Sequence, residues 1–548
     1  MEFLVVAVLG LVGIAFATLV GPRLGIAAPL LLVLLGLGVS LIPGVPEISI
    51  EPELILTGIL PPLLYAAAVN VPATDFRRDI RSISGLSIAL VVISTGVLGL
   101  LFHWMVPGLA LPWAFALGAI VSPTDAVATG MIRKLGINPR VVTVLEGESM
   151  LNDAVALVLL RTSIAAAAVA VTVIGVSLSF VYSLAVAAII GWAVGRLNLA
   201  VRGRISDPVV STVISFTVPF IAVIPAEALH ASGLVAAVVA GLVTGAGAAR
   251  TLAPQQRISD RTTWKAAELV LEGSVYLIMG LELVGVIEEV RDKDEGVGRA
   301  FWIAAVAILA TLLVRAAFVG PLVWGLHKRA LRAEKIQPRI AAFQEKVEAV
   351  TTTAALPQPP RHGISWFRRL RSFRFRRASR EEMRTRLTKL DADISHMLDQ
   401  PLGWREGTLI VWAGMRGVVT IAAAQTLPGD TPSRALLVLI AFLVAVGSLL
   451  LQGGLIGPVL SWVKPAQGPT EQEAEDERLQ LSKVLTEETA ELRSRLEAAD
   501  TDRFVAGLAL VKARREVLLD IRDLGTFSAS ALEDELRRLD ADQMRLEL

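Results

Sequence analysis

Ser122-Pro123-Thr124-Asp125-Ala126-Val127-Ala128-Thr129 sits inside an apolar run that extends from 111 to 131. A carboxylate in the middle of such a run is costly unless it meets a partner or a water-filled cavity. The proline at 123 withdraws a backbone donor and frees a carbonyl one turn earlier. Irregular backbone at membrane depth survives only where it lines a cavity or is covered by protein. Freed carbonyls beside a carboxylate and two hydroxyls form a set of oxygen ligands suited to a hard cation. The plainer alternative is a proline kink with a locally bonded aspartate.

The surroundings of this stretch are those of a membrane protein. The chain has 548 residues, 54% of them hydrophobic and only 19% charged. Its mean hydropathy is +0.62, whereas a soluble domain carries about a quarter charged residues. A bilayer core about 30 Å thick needs roughly 20 apolar residues as helix. Thirteen runs qualify: 3–21, 24–43, 52–71, 83–106, 111–131, 140–162, 168–195, 207–226, 231–248, 264–287, 299–325, 407–427 and 433–461. The N-terminus lacks a basic n-region, so the first run reads as a span rather than a signal peptide.

Loop charge supports this count. Loops after odd-numbered runs carry Arg23, then Arg77, Arg78 and Arg81, then Arg133, Lys134 and Arg140, then Arg196, Arg202 and Arg204, then Arg250, Arg257 and Arg261. Loops after even-numbered runs are short and acidic or neutral. A buried soluble helical protein does not explain that alternation. The positive-inside rule places the N-terminus outside and the C-terminal tail in the cytoplasm, with the plasma membrane as the expected location.

The expected fold is therefore an all-α polytopic membrane protein with about 13 transmembrane helices and a cytoplasmic helical tail. Residues 1–327 and 406–463 form the transmembrane domain, 328–405 a basic cytoplasmic insertion and 464–548 the tail. Within the insertion, PQPP at 357–360 is a turn signal. The segment 361–389 mixes arginine with Trp366, Phe367, Phe373 and Phe375, which suits either an anionic lipid surface or an ordinary solvated basic loop. In the tail, 470–523 has helical spacing, Gly525 punctuates, and Ser530-Ala-Leu-Glu533 reads as a capping box for a last helix carrying Leu536 and Leu539. A plain solvated hairpin and a regulatory or dimer-contacting tail fit it equally.

Composition also excludes functions. There is no cysteine, so disulfides, Cys-ligated zinc and thiol catalysis are out. The five histidines match no metal spacing. Net charge is +1, and nothing points to nucleic acid. No GxxxxGK[ST] loop or HExxH motif is present, so neither direct ATP drive nor a zinc peptidase is indicated. The chain is not read as an enzyme.

Deep ionisable residues recur elsewhere: Glu148 and Asp153 in the sixth run, Glu272 and Glu282 in the tenth, Arg315 in the eleventh and Arg416 in the twelfth. Ser149 and Asp153 are i and i+4 on a helix, hence neighbours on one face. Glu148 and Asn152 form a second such pair about 100° round. Gly414-Met415-Arg416-Gly417 sets two glycines about a buried arginine, the mark of a broken helix. Arg416 needs a carboxylate. Glu148 is the expected partner, Asp125 the second choice. Two inverted six-helix repeats joined by one linker span would pair span 5 with span 12, the two interrupted segments, as discontinuous helices that cross at the site.

The motifs SPTDAVAT (122–129), EGESMLNDA (146–154), HASGLVAAVVAGLVTG (230–245) and GMRGVV (414–419) resemble the monovalent cation:proton antiporter family. That family comprises NhaP-type bacterial Na⁺/H⁺ antiporters and the animal Na⁺/H⁺ exchangers. The resemblance covers 1–460 apart from 328–405. It implies that Asp153 is the carboxylate that binds either cation or proton. It implies Ser149 and Thr124 as cation ligands, the latter through its backbone carbonyl, and Asp125 as an acid adjoining the site. Na⁺ would thus sit among Asp153, Ser149, Thr124 and Asp125. Asn152 beside Asp153 implies electroneutral exchange, and Glu148 with Arg416 a structural ion pair. The family is homodimeric and needs no cofactor. Glu272 departs from its pattern, and so does the long insertion. The expected activity is secondary Na⁺/H⁺ antiport serving pH homeostasis, with Li⁺ or K⁺ as alternative cargo and a cation channel or membrane sensor as remote alternatives. Loaded with H⁺ or Na⁺, Asp153 is neutral and can cross a dry barrier; bare and charged, it resists.

Overall fold

The computed structural model describes residues 2–24, 27–42, 53–125, 127–168, 173–292, 296–348, 380–499 and 502–547. The turn signal at 357–360 and most of the basic aromatic segment expected on lipid lie outside them. Among the described residues the structure is helical throughout, with a lone bridge between Ile137 and Gln467. The chain divides into two units, Met1–Pro321 with Trp404–Gly468, and Leu322–Gly403 with Pro469–Leu548.

The first unit starts with α1 (Glu2–Leu24), α2 (Ala28–Ser40), α3 (Leu60–Asn70) and α4 (Ala73–Ser84). Next are α5 (Val91–Met105), α6 (Leu111–Val121), α7 (Val127–Lys134) and α8 (Pro139–Ala168). Then come α9 (Val173–Arg202), α10 (Pro208–Ala228), α11 (Gly233–Thr251), α12 (Pro254–Asp292) and α13 (Val297–Glu334), whose last turns pass into the second unit. Of the second unit's hairpin, α14 (Gln337–Glu348) and α15 (Arg380–Asp399) are described. The first unit resumes with α16 (Trp404–Trp412), α17 (Val418–Gln425), α18 (Arg434–Ser448) and α19 (Gly454–Val463). The tail holds α20 (Glu471–Glu488), α21 (Ala490–Ala498), α22 (Arg503–Leu524) and α23 (Ala529–Glu547).

Among the described residues, each expected run contains helix. Eight described helices are long and apolar enough to cross a membrane, and four further apolar helices are shorter. One expected loop is not a loop. Residues 73–84, which carry Arg77, Arg78 and Arg81, form the amphipathic α4 and run through a π-helical turn, Gly85–Leu90, straight into α5. Spans 5 and 12 are each broken in two, with described non-helical residues at 122–125 and at 413–417.

Two features fix the helix that carries most of the expected site, α8. Arg140 in its first turn makes a buried fork on Asp79 of α4, Nε to Oδ2 at 3.0 Å and Nη2 to Oδ1 at 2.7 Å. Gly147 packs directly on Ile83, where a Cβ would meet side-chain carbon at 2.7 Å. Elsewhere in the unit, α2 and α12 touch backbone to backbone. A side chain at Gly36 would strike the Leu277 carbonyl, and one at Gly280 the Val33 carbonyl. Small residues at such crossings let helices approach closely where no water drives them together.

In the second unit, Ile336, Ile340 and Phe343 pack with Leu387 and Ile394. The tail has its own core of Leu481, Leu485, Val511, Leu518, Leu532 and Leu539. Gly525 ends α22 at φ 75°, as its sequence position suggested. The cap of α23 differs from the expectation. Ser528, not Ser530, accepts from the N–H of Ala531 at 3.2 Å, because Ser530 is already inside the helix.

Candidate cation site

The two broken spans meet. The N–H of Asp125 donates to the Met415 carbonyl at 2.8 Å, so the irregular backbone of one segment satisfies that of the other. Such pairing is what an interrupted helix needs at a depth where water is scarce. At Gly417 there is no room for a Cβ: it would run into the Asp125 carboxylate.

Charge is arranged to suit the half-helices. Asp125 Oδ1 accepts from Val127 N at 3.2 Å, in the first turn of α7. Its Oδ2 accepts from Val418 N at 3.4 Å, in the first turn of α17, and from the hydroxyl of Tyr276 on α12. A carboxylate between two helix N-termini is favourably placed. Arg416 serves the opposite ends. Its Nε donates to the carbonyl of Val121, the last residue of α6, at 3.0 Å, and its Nη1 donates to the Gly414 carbonyl. Its own N–H donates to Ser448 Oγ at 2.9 Å.

This corrects one expected pairing. Glu148 is bound by Arg315 of α13, not by Arg416. Both guanidinium Nη atoms of Arg315 meet the two carboxylate oxygens, the Nη2–Oε2 distance being 2.7 Å. Arg315 Nε donates to the Ile410 carbonyl at 2.7 Å. The break in span 12 leaves carbonyls without helical partners, and both arginines take them, Arg315 that of Ile410 and Arg416 that of Gly414, while the Arg315 fork also spans both oxygens of Glu148. Glu148 and Arg315 are 1% and 2% exposed, so the pair is fully desolvated.

Thr124 and Asn152 join this buried pair. Thr124 donates its hydroxyl to Glu148 Oε1 at 3.2 Å and accepts from Asn152 Nδ2 at 2.6 Å. The same amide approaches the Thr124 carbonyl at 3.4 Å. The Thr124 hydroxyl is thus occupied, and its carbonyl is only weakly so.

Asp153 and Ser149 stand apart. They lie one turn apart on α8, each 7% exposed. Among the described residues neither side chain has a hydrogen-bond or ion-pair partner. Asp125 is the charged group acting on Asp153. Glu282 accepts from Gln425 Nε2 at 3.2 Å, tying α12 to the end of α17. Glu272, half-buried, has Asp125 and Glu268 as its charged neighbours. Tyr276 was absent from the expected site. A tyrosine in an apolar run gives no hint of its partner, although it is one of only three in the chain.

The crossing of two broken helices, with one buried carboxylate left open beside it, defines a helical membrane transporter. Residues 10–344 and 385–462 match the family described as "Sodium/hydrogen exchanger, transmembrane". The chain belongs to the sodium/hydrogen exchanger family. It is 36% identical over 251 residues to the Na(+)/H(+) exchanger YjcE of Escherichia coli K12, covering 44% of this chain and 46% of that one. It is 28% identical over 472 residues to the Na(+)/H(+) exchanger Rv2287 of Mycobacterium tuberculosis, 84% of this chain and 74% of the relative. A Bacillus subtilis relative, the "Sodium, potassium, lithium and rubidium/H(+) antiporter", is 31% identical over 296 residues, 52% of this chain and 44% of the other. The solved structure of the sodium proton antiporter MjNhaP1 from Methanocaldococcus jannaschii superposes with TM-score 0.56 at 16% identity, over 84% of this chain and 98% of that one. At that identity the likeness speaks for the fold.

Proposed function

We propose that the chain is a secondary active Na⁺/H⁺ antiporter in which Na⁺ and H⁺ compete for Asp153. One observation carries this. Asp153 and Ser149 share a buried helix face and have no protein partner among the described residues, while the neighbouring acids Asp125 and Glu148 are engaged. An open carboxylate with an adjacent hydroxyl can take a partly dehydrated cation or a proton. Charged and empty, it is costly to move through a dry barrier; loaded with either, it is neutral. That difference couples the two fluxes.

The Thr124 carbonyl would complete the ligand set, with Asp125 supplying field. Asn152 holds Thr124 and makes the exchange one cation for one proton. The protein works as a homodimer in the plasma membrane, N-terminus outside and tail inside, and serves pH homeostasis. Residues 1–327 and 406–463 carry transport. The segment 361–389 is the part that meets anionic lipid, and the tail regulates.

The test is fluorescence dequenching in proteoliposomes with Na⁺, Li⁺ and K⁺ added in turn. Na⁺ should collapse the pH gradient in the wild type and not in Asp153→Asn. Retained Na⁺-driven proton flux in that variant would sink the assignment. K⁺/H⁺ exchange is the second reading, suggested by the name of the B. subtilis relative; a K⁺ response exceeding that to Na⁺ would favour it.

A further inference from the structure

Tyr276 is fully buried on α12, and its hydroxyl donates to Asp125 Oδ2. With Val127 N and Val418 N, that makes donors from three helices on one carboxylate. Those bonds occupy lone pairs that a cation would need. Asp153, which acts electrostatically on both Tyr276 and Asp125, receives no such bond among the described residues. The tyrosine hydroxyl thus helps sort two neighbouring acids into one that is tied and one that is open. Helical side chains lean toward the N-terminus of their helix. That direction carries the Tyr276 ring over the turn of Glu272, the third acid acting on it.

Resting on the assignment of Asp153 as the exchanging group, we propose that Tyr276 is a positioning residue that keeps Asp125 off the cation and so sets the affinity of the site. Without the hydroxyl, Asp125 Oδ2 retains the longer main-chain bond at 3.4 Å. It is then freer to turn toward an ion held at Asp153 and Ser149. A second carboxylate on a hard cation tightens binding, and tighter binding slows release. Phenylalanine preserves the ring, so the change is confined to one donor.

The experiment is Na⁺-dependent exchange by full-length Tyr276→Phe in proteoliposomes, with the unfolding temperature measured in parallel. The apparent KM for Na⁺ should fall by about three- to tenfold, the range of one hydrogen bond, and the maximal rate should fall with it. A role in packing alone would lower stability and rate and leave KM where it was; that outcome overturns the proposal. A destabilised variant remains readable, because ligand-linked stability follows the dissociation constant. Its unfolding temperature should climb more steeply with Na⁺ than that of the wild type, and an equal or shallower climb overturns the proposal. On an Asp125→Asn background the Tyr276→Phe shift in Na⁺ affinity should vanish; an undiminished shift also overturns it. Asp153→Asn separates the two readings. A Na⁺ response surviving there refutes the site assignment, whereas its loss together with an unchanged KM in Tyr276→Phe refutes only the role of Tyr276.

Discussion

Glu148 meets one guanidinium through both of its oxygens, whereas the Arg416 guanidinium donates to the carbonyls of Val121 and Gly414. The two arginines therefore differ in what their loss leaves behind. Arg315→Ala strands a desolvated carboxylate, a loss of about 3–5 kcal/mol. Arg416→Ala strands carbonyls, at about 1–3 kcal/mol. Thermal unfolding of both variants in detergent should rank Arg315→Ala as the less stable; the reverse order would contradict the pairing described. Ser149→Ala should raise the Na⁺ KM severalfold at unchanged unfolding temperature, since among the described residues the hydroxyl has no partner to lose. At this scale the sequence was partly legible. The i and i+4 spacing of Ser149 and Asp153 needs only helical geometry. The choice between Arg315 and Arg416 does not follow from spacing, because it depends on which guanidinium the packing of distant helices sets against both oxygens of Glu148. Tyr276 was invisible for the same reason: its partner lies 151 residues away.

Among elements, the breaks in spans 5 and 12 were readable from a proline beside an acid and from two glycines around an arginine. Their mutual contact was anticipated only as a symmetry argument. Gly417 shows how tight that contact is. Gly417→Ala should abolish exchange and lower yield, because the methyl group would occupy the space of the Asp125 carboxylate. Gly130→Ala is the control: among the described residues, nothing outside its own turn of helix lies within 4 Å of an added Cβ. There alanine should be neutral or stabilising by about 0.5–1 kcal/mol. Transport and unfolding measured on the two side by side decide the matter; equal effects would mean that the crossing tolerates a side chain. The helical α4 was missed because its charges were counted as loop charges. Its amphipathic pattern, ATDFRRDIRSIS, held the missing information.

On the scale of the whole chain, different signals mark the helices of the first unit and those of the tail. Apolar length marked the first, and helical spacing with Gly525 marked the tail. The tail also has an acid-sensitive start. The N–H and then the hydroxyl of Thr470 hold the Glu473 carboxyl below the usual carboxylate range. A depressed folded value means that the contribution is present above the unfolded pKa of about 4.3 and is lost as pH falls through the folded value. The first turn of α20 should therefore loosen only in acid, as read by hydrogen exchange at 471–475 corrected for intrinsic rates. Glu473→Gln should remove that pH dependence; an unchanged acid response would place its origin elsewhere.

The link between residues 125 and 415 runs from main chain to main chain. Its consequence is genetic. Replacing either side chain leaves the link in place, and at position 125 only proline lacks the hydrogen that makes it. A lineage could therefore vary both side chains, one codon at a time, and keep the bond that joins the two broken spans.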